Sequence, residues 1–345
     1  KSFPALAKRI ATQAAMLRYL DNDLNRKSSP NQNFARELME LFILGVGNYT
    51  EADVESAAAA WTGHSYTFDA TTRTNVRYQF NSADHDASLK SFLGATINGG
   101  ADWQQHGSDT IDVMLGQGVV PGGAARNQGR PTRDVAADFL TRKMWTFFAG
   151  TPAPDAVVAA LRTVAIQGNF EIRPWLRALL LRPEFYGSDV RNGLVRSPVD
   201  LMVAYLVATG QRSAGNVPLW WLDGMGQRPL APPDVSGWKH NEYFVSAGAM
   251  ANRCLAARYF MWNTMLGFWD GDGLIHLGRG SISRQQSSAM ADQPDQFVDL
   301  ILSLMGVSAS PTSRQVLYDH ARSESWSERN DLIALALLMP EFHVA

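Results

Sequence analysis

The run PNQNFARELMELFILGVGNYTEADVESAAAAWTG, Pro30 to Gly63, constrains this chain more tightly than any other stretch. Asn31 and Asn33 suit a helix N-cap, and Gly45 and Gly47 supply left-handed stops, so the first helix is expected over Asn33 to Leu44. Plotted at about 100° per residue, Phe34, Ala35, Leu38, Met39, Leu41, Phe42 and Ile43 cover about two thirds of its circumference. A helix that apolar must be largely buried. Asn33, Arg36, Glu37 and Glu40 share the one remaining stripe, in line with Leu44. That stripe has two readings, a solvated face or a polar wall of a cleft. A second helix starts at Thr50, with Asp53 three residues on as a variant capping box, and runs to Trp61 before stopping at Gly63. Its Ala57–Ala60 run lacks bulk and permits a neighbour to approach closely.

Before this stretch, Phe3 to Leu20 reads as one amphipathic helix with Leu6, Ile10, Ala14, Leu17 and Leu20 on a face. Asp21-Asn22 ends it, and Leu24 to Pro30 is a polar connector. After the stretch the period changes to two: HSYTF places Tyr66 and Phe68 on one face, and VRYQF places Val76, Tyr78 and Phe80 likewise. One β-hairpin with a loose loop is expected, the only substantial strand pair. Ser91 to Pro131 is Gly-rich and polar, a long surface excursion with a short helix near Asp109–Leu115. Its Gly-Gly pairs at 99–100 and 122–123 lack any following Gly-Lys-Ser/Thr, which rules out a phosphate loop. Thr132 then caps a helix through Phe148 with Val135, Ala136, Phe139, Leu140, Met144 and Phe147 as core face; Arg142 and Lys143 are expected to snorkel.

Residues 151–185 and 310–342 look like an internal repeat: a Pro-led helix, a polar turn, then a second helix closed by Pro-Glu-Phe. Another proline-started helix covers 197–210, and Ala249 to Phe268 is helical. Asp270-Gly-Asp-Gly lacks the further ligands of a calcium loop and reads as a turn; Gly278 to Pro294 is a polar linker. The expected fold is therefore mainly α, a multi-helical globular bundle with one β-hairpin near 64–80 and long ordered loops. A core over 1–270 is expected, followed by a linker and a C-terminal helical hairpin over 271–345 packed on it.

Charge and cysteine use narrow the function classes. A net charge of −2 with dispersed Lys and Arg argues against a nucleic-acid surface. A single cysteine, Cys254, excludes an internal disulfide and a cysteine-based zinc site, and its apolar neighbours suggest a buried, inert thiol. No apolar run approaches the roughly 18 residues of a spanning helix.

Two places carry chemistry. In NSADHDASLK, His85 and Asp86 are adjacent, with Lys90 after them. Histidine beside carboxylates serves as a general base, a metal ligand or a structural bracket. In PLWWLDGMGQRPLAPPDVSGWKHNEYF, Trp220, Trp221 and Trp238 are interleaved with Pro and Gly. They are either core nails for an irregular loop, Trp238 foremost, or an aromatic platform for a sugar or peptide.

PNQNFARELMELFILGVGNYTEADV, the preceding AMLRYLDN, and then HDASLK, RKMWTFF, LRALLLRPEF, RSPVDL and GQRPLAPPDVSGW together resemble the bacterial family catalogued as domain of unknown function 1800. The motifs stay in family order from about Ala15 to Arg253, roughly two thirds of the chain. His64 departs from the pattern, which has Trp after Thr-Gly. Members usually carry a further N-terminal helical region, and this chain opens inside the pattern. The resemblance implies a largely helical protein, exported to the periplasm, envelope or outside, and encoded beside sulfatase-like proteins; it also marks His85, Asp86 and Lys90 as a recognisable motif. Two function classes stay open. One is a hydrolase acting on an envelope or extracellular polymer, with Glu37, Glu40, His85, Asp86 and Lys90 meeting in one cleft and Asn33 and Arg36 helping to bind. There the carboxylates and histidine do acid–base work or hold a divalent cation. The other is a non-enzymatic partner or scaffold of an exported sulfatase-like protein, or a polysaccharide binder, with the aromatic loop as its contact surface.

Overall fold

The computed structural model describes residues 1–97, 102–116, 125–126, 130–191, 193–211, 219–270, 272–324 and 331–344. Both Gly-Gly pairs of the surface excursion lie outside these residues. The chain is mainly α, with a few short antiparallel strand pairs, and divides by contacts into two units. One holds Lys1–Phe148 and Pro152–Tyr186; the other holds Ala149–Thr151 and Gly187–Ala345. The expected division lay instead near residue 270.

The first unit opens with two helices, where one was expected: α1 (Phe3–Ala11) and α2 (Ala14–Tyr19). The break has a local cause. Thr12 Oγ1 donates back to the Lys8 and Arg9 carbonyls, and Gln13 is extended, so the ladder is diverted to side chains. The kink leaves Leu6 and Ile10 exposed while Leu17 and Leu20 are buried. Helix α3 (Asn33–Glu37) runs directly into a π-helical turn, Leu38–Ile43, in place of a single regular α-helix. Leu44 N–H and Gly45 N–H both donate to Met39 O, and the Leu41 carbonyl is taken by Lys143 Nζ at 2.7 Å. Gly45, at φ +86°, is where Phe139 packs: a Cβ there would meet that ring at 2.7 Å.

Helix α4 (Glu51–Ala60) begins as expected. Thr50 and Asp53 form a complete capping box, and Ala57, Ala58 and Ala60 are buried. The far carboxylate oxygen of Asp53 also accepts from Leu93 N–H at 2.8 Å, tying α4 to the turn of a second strand pair. The expected hairpin forms, β1 (His64–Thr67) with β2 (Arg77–Phe80), and Tyr66 faces Tyr78 across it. It is one of four pairs among the described residues. β3 (Lys90–Phe92) and β4 (Ala95–Ile97) are joined by Leu93-Gly94, both at positive φ, the backbone of a tight hairpin turn. Helix α5 (Gln105–Leu115) follows and is largely buried, and its Gly107 lies so close to Trp61 that a Cβ would stand 2.7 Å from the indole. A two-residue pair, β5 (Ala125–Arg126) with β6 (Arg130–Pro131), precedes α6 (Thr132–Ala149). The core face of α6 is Val135, Ala136, Leu140 and Trp145; Phe147, expected inside, is mostly exposed. Helices α7 (Asp155–Gln167) and α8 (Ile172–Leu180) form the first repeat copy, closed by a short turn at Pro183–Tyr186.

In the second unit, Ser197 caps α9 (Pro198–Thr209), and α10 (Leu219–Gly224) packs on the long α11 (Ala247–Asp270). The turn expected after Asp270 leads into a fourth strand pair, β7 (Leu274–Leu277) with β8 (Gly280–Ser283), within the stretch read as turn and linker. Ile275, Leu277 and Ile282 from it are buried, the period-two signal that a Gly-rich reading obscures. Helices α12 (Arg284–Ala289) and α13 (Pro294–Met305) follow. The second repeat copy is α14 (Pro311–Ser323), α15 (Asp331–Leu337) and the short α16 (Pro340–His343). Glu341 accepts from Ser310 N–H and the Ser313 hydroxyl, closing the start of α14 as a cap, not as a catalytic group. The core of this unit joins Leu201, Tyr205, Phe260, Met265, Ile301, Leu332 and Phe342. Arg253 is buried in it with no carboxylate partner among the described residues: its guanidinium donates to His343 Nδ1 at 3.0 Å and to Arg196 O at 2.7 Å.

Candidate functional site

The polar stripe of α3 and its π-turn is half-buried, and its partners are local. Glu40 accepts from the Tyr49 hydroxyl at 2.5 Å; burial, then this bond, pushes the Tyr49 phenol up to about 12. Arg36 makes a two-pronged pair with Glu51 at 2.8 and 2.7 Å, which holds Glu51 below the usual carboxylate range. Asn33 donates to the Leu20 carbonyl at 3.3 Å. Glu37 is raised by burial and by the neighbouring Glu40 charge. Lys143 reaches this helix, but at the Leu41 carbonyl; desolvation lowers its pKa.

His85, Asp86 and Lys90 form a separate structure. Thr62, two residues past the end of α4, organises it: its Oγ1 accepts from Asp86 N–H at 2.8 Å, and its carbonyl oxygen lies 2.8 Å from His85 Nδ1. A carbonyl only accepts, so Nδ1 of His85 carries the proton. Burial and the Lys90 charge hold His85 below its ordinary value, so it is neutral and its Nε2 is an acceptor. His106 Nδ1, 2.9 Å away, is then the donor. Burial, then Lys90 and His85, drop His106 to about 4. Lys90 is itself buried, its ammonium held by the Asp86 and Ser88 carbonyls and 3.6 Å from the Asp86 carboxylate. Burial raises the Asp86 carboxyl, but Ser88 and Lys90 outweigh it and keep it low. The motif is thus a turn folded on its own lysine and fastened to α4.

No hydrogen bond or ion pair among the described residues joins Glu37 or Glu40 to His85, Asp86 or Lys90. The stripe and the histidine turn are two constellations, each with its own partners. Nor do three His, Cys, Asp or Glu side chains gather among the described residues where they could hold a metal ion.

The aromatic loop divides as well. Trp220 is 65% exposed, Trp221 is half-buried against the core with its ring 6.3 Å from Tyr259, and Trp238 is half-buried. The residues that nail this segment are Leu222, Met225 and Phe244, in place of Trp238. Cys254, expected inside, is exposed. It belongs to an outward face of α11 with Ala251, Leu255, Tyr259 and Trp262, all exposed, and Arg258 as the one charge among them. The opposite face buries Ala256, Ala257, Phe260 and Met261.

Sequence reasoning missed three elements of these sites. Asn22 and Asn25, read as a helix end and a connector, are fully buried. They donate to the Trp61, His64 and Ala58 carbonyls, closing the C-terminus of α4. Two asparagines three apart before a Pro-Asn-Gln-Asn run was the available signal. His106 gave none, being a lone histidine in a polar helix. His64 was noticed only as a departure. It is buried between Trp61 and Phe80, bonded to Tyr78 at 2.9 Å, and pushed down by burial to about 3.

The chain belongs to the family described as Protein of unknown function (DUF1800), whose family model matches residues 1–344. No curated protein and no solved structure matches it. No helix among the described residues is long and apolar enough to cross a membrane.

Proposed function

We propose that this DUF1800 protein is a non-enzymatic docking partner of a sulfatase-like protein in an exported setting, and that it uses α10 and the outward face of α11. The observation that carries this reading is that α11 is apolar on two opposite faces. A soluble helix with one buried stripe ordinarily turns polar residues outward. Here Leu255 and Tyr259 are exposed on α11, and Trp220 is exposed on α10, which packs on that helix. Exposed Trp and Tyr rings on a firm helical base are what protein interfaces select, because they give large contact area at little entropic cost. The lone Arg258 asks for an apolar complement with one carboxylate. The sulfatase-like identity of the partner and the exported setting rest on what family resemblance implies.

The alternative, hydrolysis by Glu37, Glu40, His85, Asp86 and Lys90, draws no support from these positions, since no hydrogen bond or ion pair among the described residues joins the glutamates to the histidine turn. The experiment is a calorimetric titration of this protein with the purified sulfatase-like protein encoded beside it. A stoichiometric complex is expected, weakened at least tenfold, about 1.4 kcal/mol, by Trp220→Asp or Leu255→Asp with the melting temperature unchanged. Absence of a complex, or a complex indifferent to both variants, refutes the reading.

A further inference from the structure

In the first unit, two adjoining cavities of about 490 and 400 Å³ share Thr12 and Tyr78 and so form one groove. It follows the face of the β1–β2 hairpin and opens where α1 breaks from α2. Three cations line it, Lys8, Arg9 and Arg18, and its lining contains no Asp or Glu. Lys8 is paired with Asp112 at 2.6 Å and Arg18 lies 3.6 Å from Asp23, while Arg9 has no ion pair among the described residues. Between the cations stand Tyr66 and Tyr78, with side-chain amides from Gln13, Gln104 and Gln105 around them.

His64 also lines the groove, with Nδ1 2.9 Å from the Tyr78 hydroxyl and Nε2 buried without a hydrogen-bond partner among the described residues. A buried polar atom left unpaired costs about 1–3 kcal/mol.

We infer that this groove binds an acidic oligosaccharide. Its carboxylate or sulfate groups meet Arg9 and Arg18, and a sugar ring lies on Tyr66 or Tyr78. The hairpin residues that line the groove, His64, Tyr66, Val76 and Tyr78, alternate along the chain and so present side chains of one face, which gives a peptide no backbone pairing. Phenol rings and amides instead suit the alternating C–H faces and hydroxyls of a sugar. The site is independent of the docking face, which lies in the other unit.

The test is titration calorimetry of the intact protein with four probes: a tetra-uronate, its methyl ester, an oligoglutamate of equal charge and a single-stranded oligonucleotide of equal charge. The tetra-uronate is expected to bind, more weakly as salt rises. The ester and the Arg9→Gln/Arg18→Gln double variant are each expected to lose at least about tenfold in affinity. Both arginines are exposed, so the variant is expected to keep its melting temperature. No uronate binding, an ester equal to the acid, an unaffected double variant, or glutamate or oligonucleotide binding as tightly as uronate each overturns the inference.

Discussion

Acid should unfasten the first unit well before its carboxylates protonate, and replacing His64 by Phe should remove a defined part of that sensitivity. His64 and His106 are each 2% exposed, with folded-state values of about 3 and 4. Unfolded histidine titrates near ~6.5. Both folded values lie below the unfolded one, so the folded state binds fewer protons. Their contribution to stability is therefore complete above pH ~6.5 and is lost as pH falls toward about 4 and about 3. Each group costs up to ~1.4 kcal/mol per pH unit in that window, or ~2.5 kcal/mol between pH 6.5 and 4.5. Because the two histidines repel one another once charged, the pair costs ~3–5 kcal/mol over the same range. Glu37 and Asp109, whose values are raised by burial, act in the opposite sense and blunt the fall. His64→Phe isolates one term. The variant loses the hydrogen-bond partner of Tyr78, which shifts absolute stability at every pH, but its pH slope should be shallower by ~1 kcal/mol per unit. Urea unfolding read by hydrogen exchange of residues 51–64, at steps from pH 7 to 4.8, measures that slope for the first unit alone. Equal slopes in wild type and variant, or a flat wild-type profile, refute the claim that these histidines are buried neutral.

Asp53→Ala should cost ~3 kcal/mol in the same assay, since it removes the helix cap and strands the fully buried Leu93 N–H, whereas Thr50→Ala should cost only ~1 kcal/mol. Gly107→Ala should destabilise by ~1–3 kcal/mol by driving a methyl group into the Trp61 indole, visible as a lower urea midpoint. Lys143→Met should lower stability by ~1 kcal/mol and speed amide exchange at Leu44 and Gly45, because it leaves the Leu41 carbonyl of the π-turn without its donor.

Local chemistry was legible wherever neighbours in sequence decide the outcome. Thr50 and Asp53 announce their capping box, prolines mark the starts of α9 and α14, and alternation in 64–80 announces the hairpin. What stayed hidden depends on residues far apart in the chain. The π-turn needs Lys143, a hundred residues on, to take the Leu41 carbonyl and Phe139 to occupy the space beside Gly45. Asn22 and Asn25 close a helix more than thirty residues later. The acidic stripe was drawn from α-helical periodicity, which cannot say what it faces; Glu40 meets Tyr49 and Arg36 meets Glu51, residues of its own loop and the next helix. Cys254 and Phe147 failed for a related reason: an apolar neighbourhood in sequence is no guide to which helix face looks inward when both faces are apolar.

Cys254 makes the docking claim directly measurable. It is exposed on the outward face of α11, beside Leu255, and it is the only cysteine in the chain. Its alkylation by a small maleimide should be rapid in the isolated protein. In the presence of a saturating, cysteine-free form of the proposed sulfatase-like partner, the account predicts at least a tenfold slower rate, restored by Trp220→Asp. A stable complex in which Cys254 reacts at its free rate would contradict it.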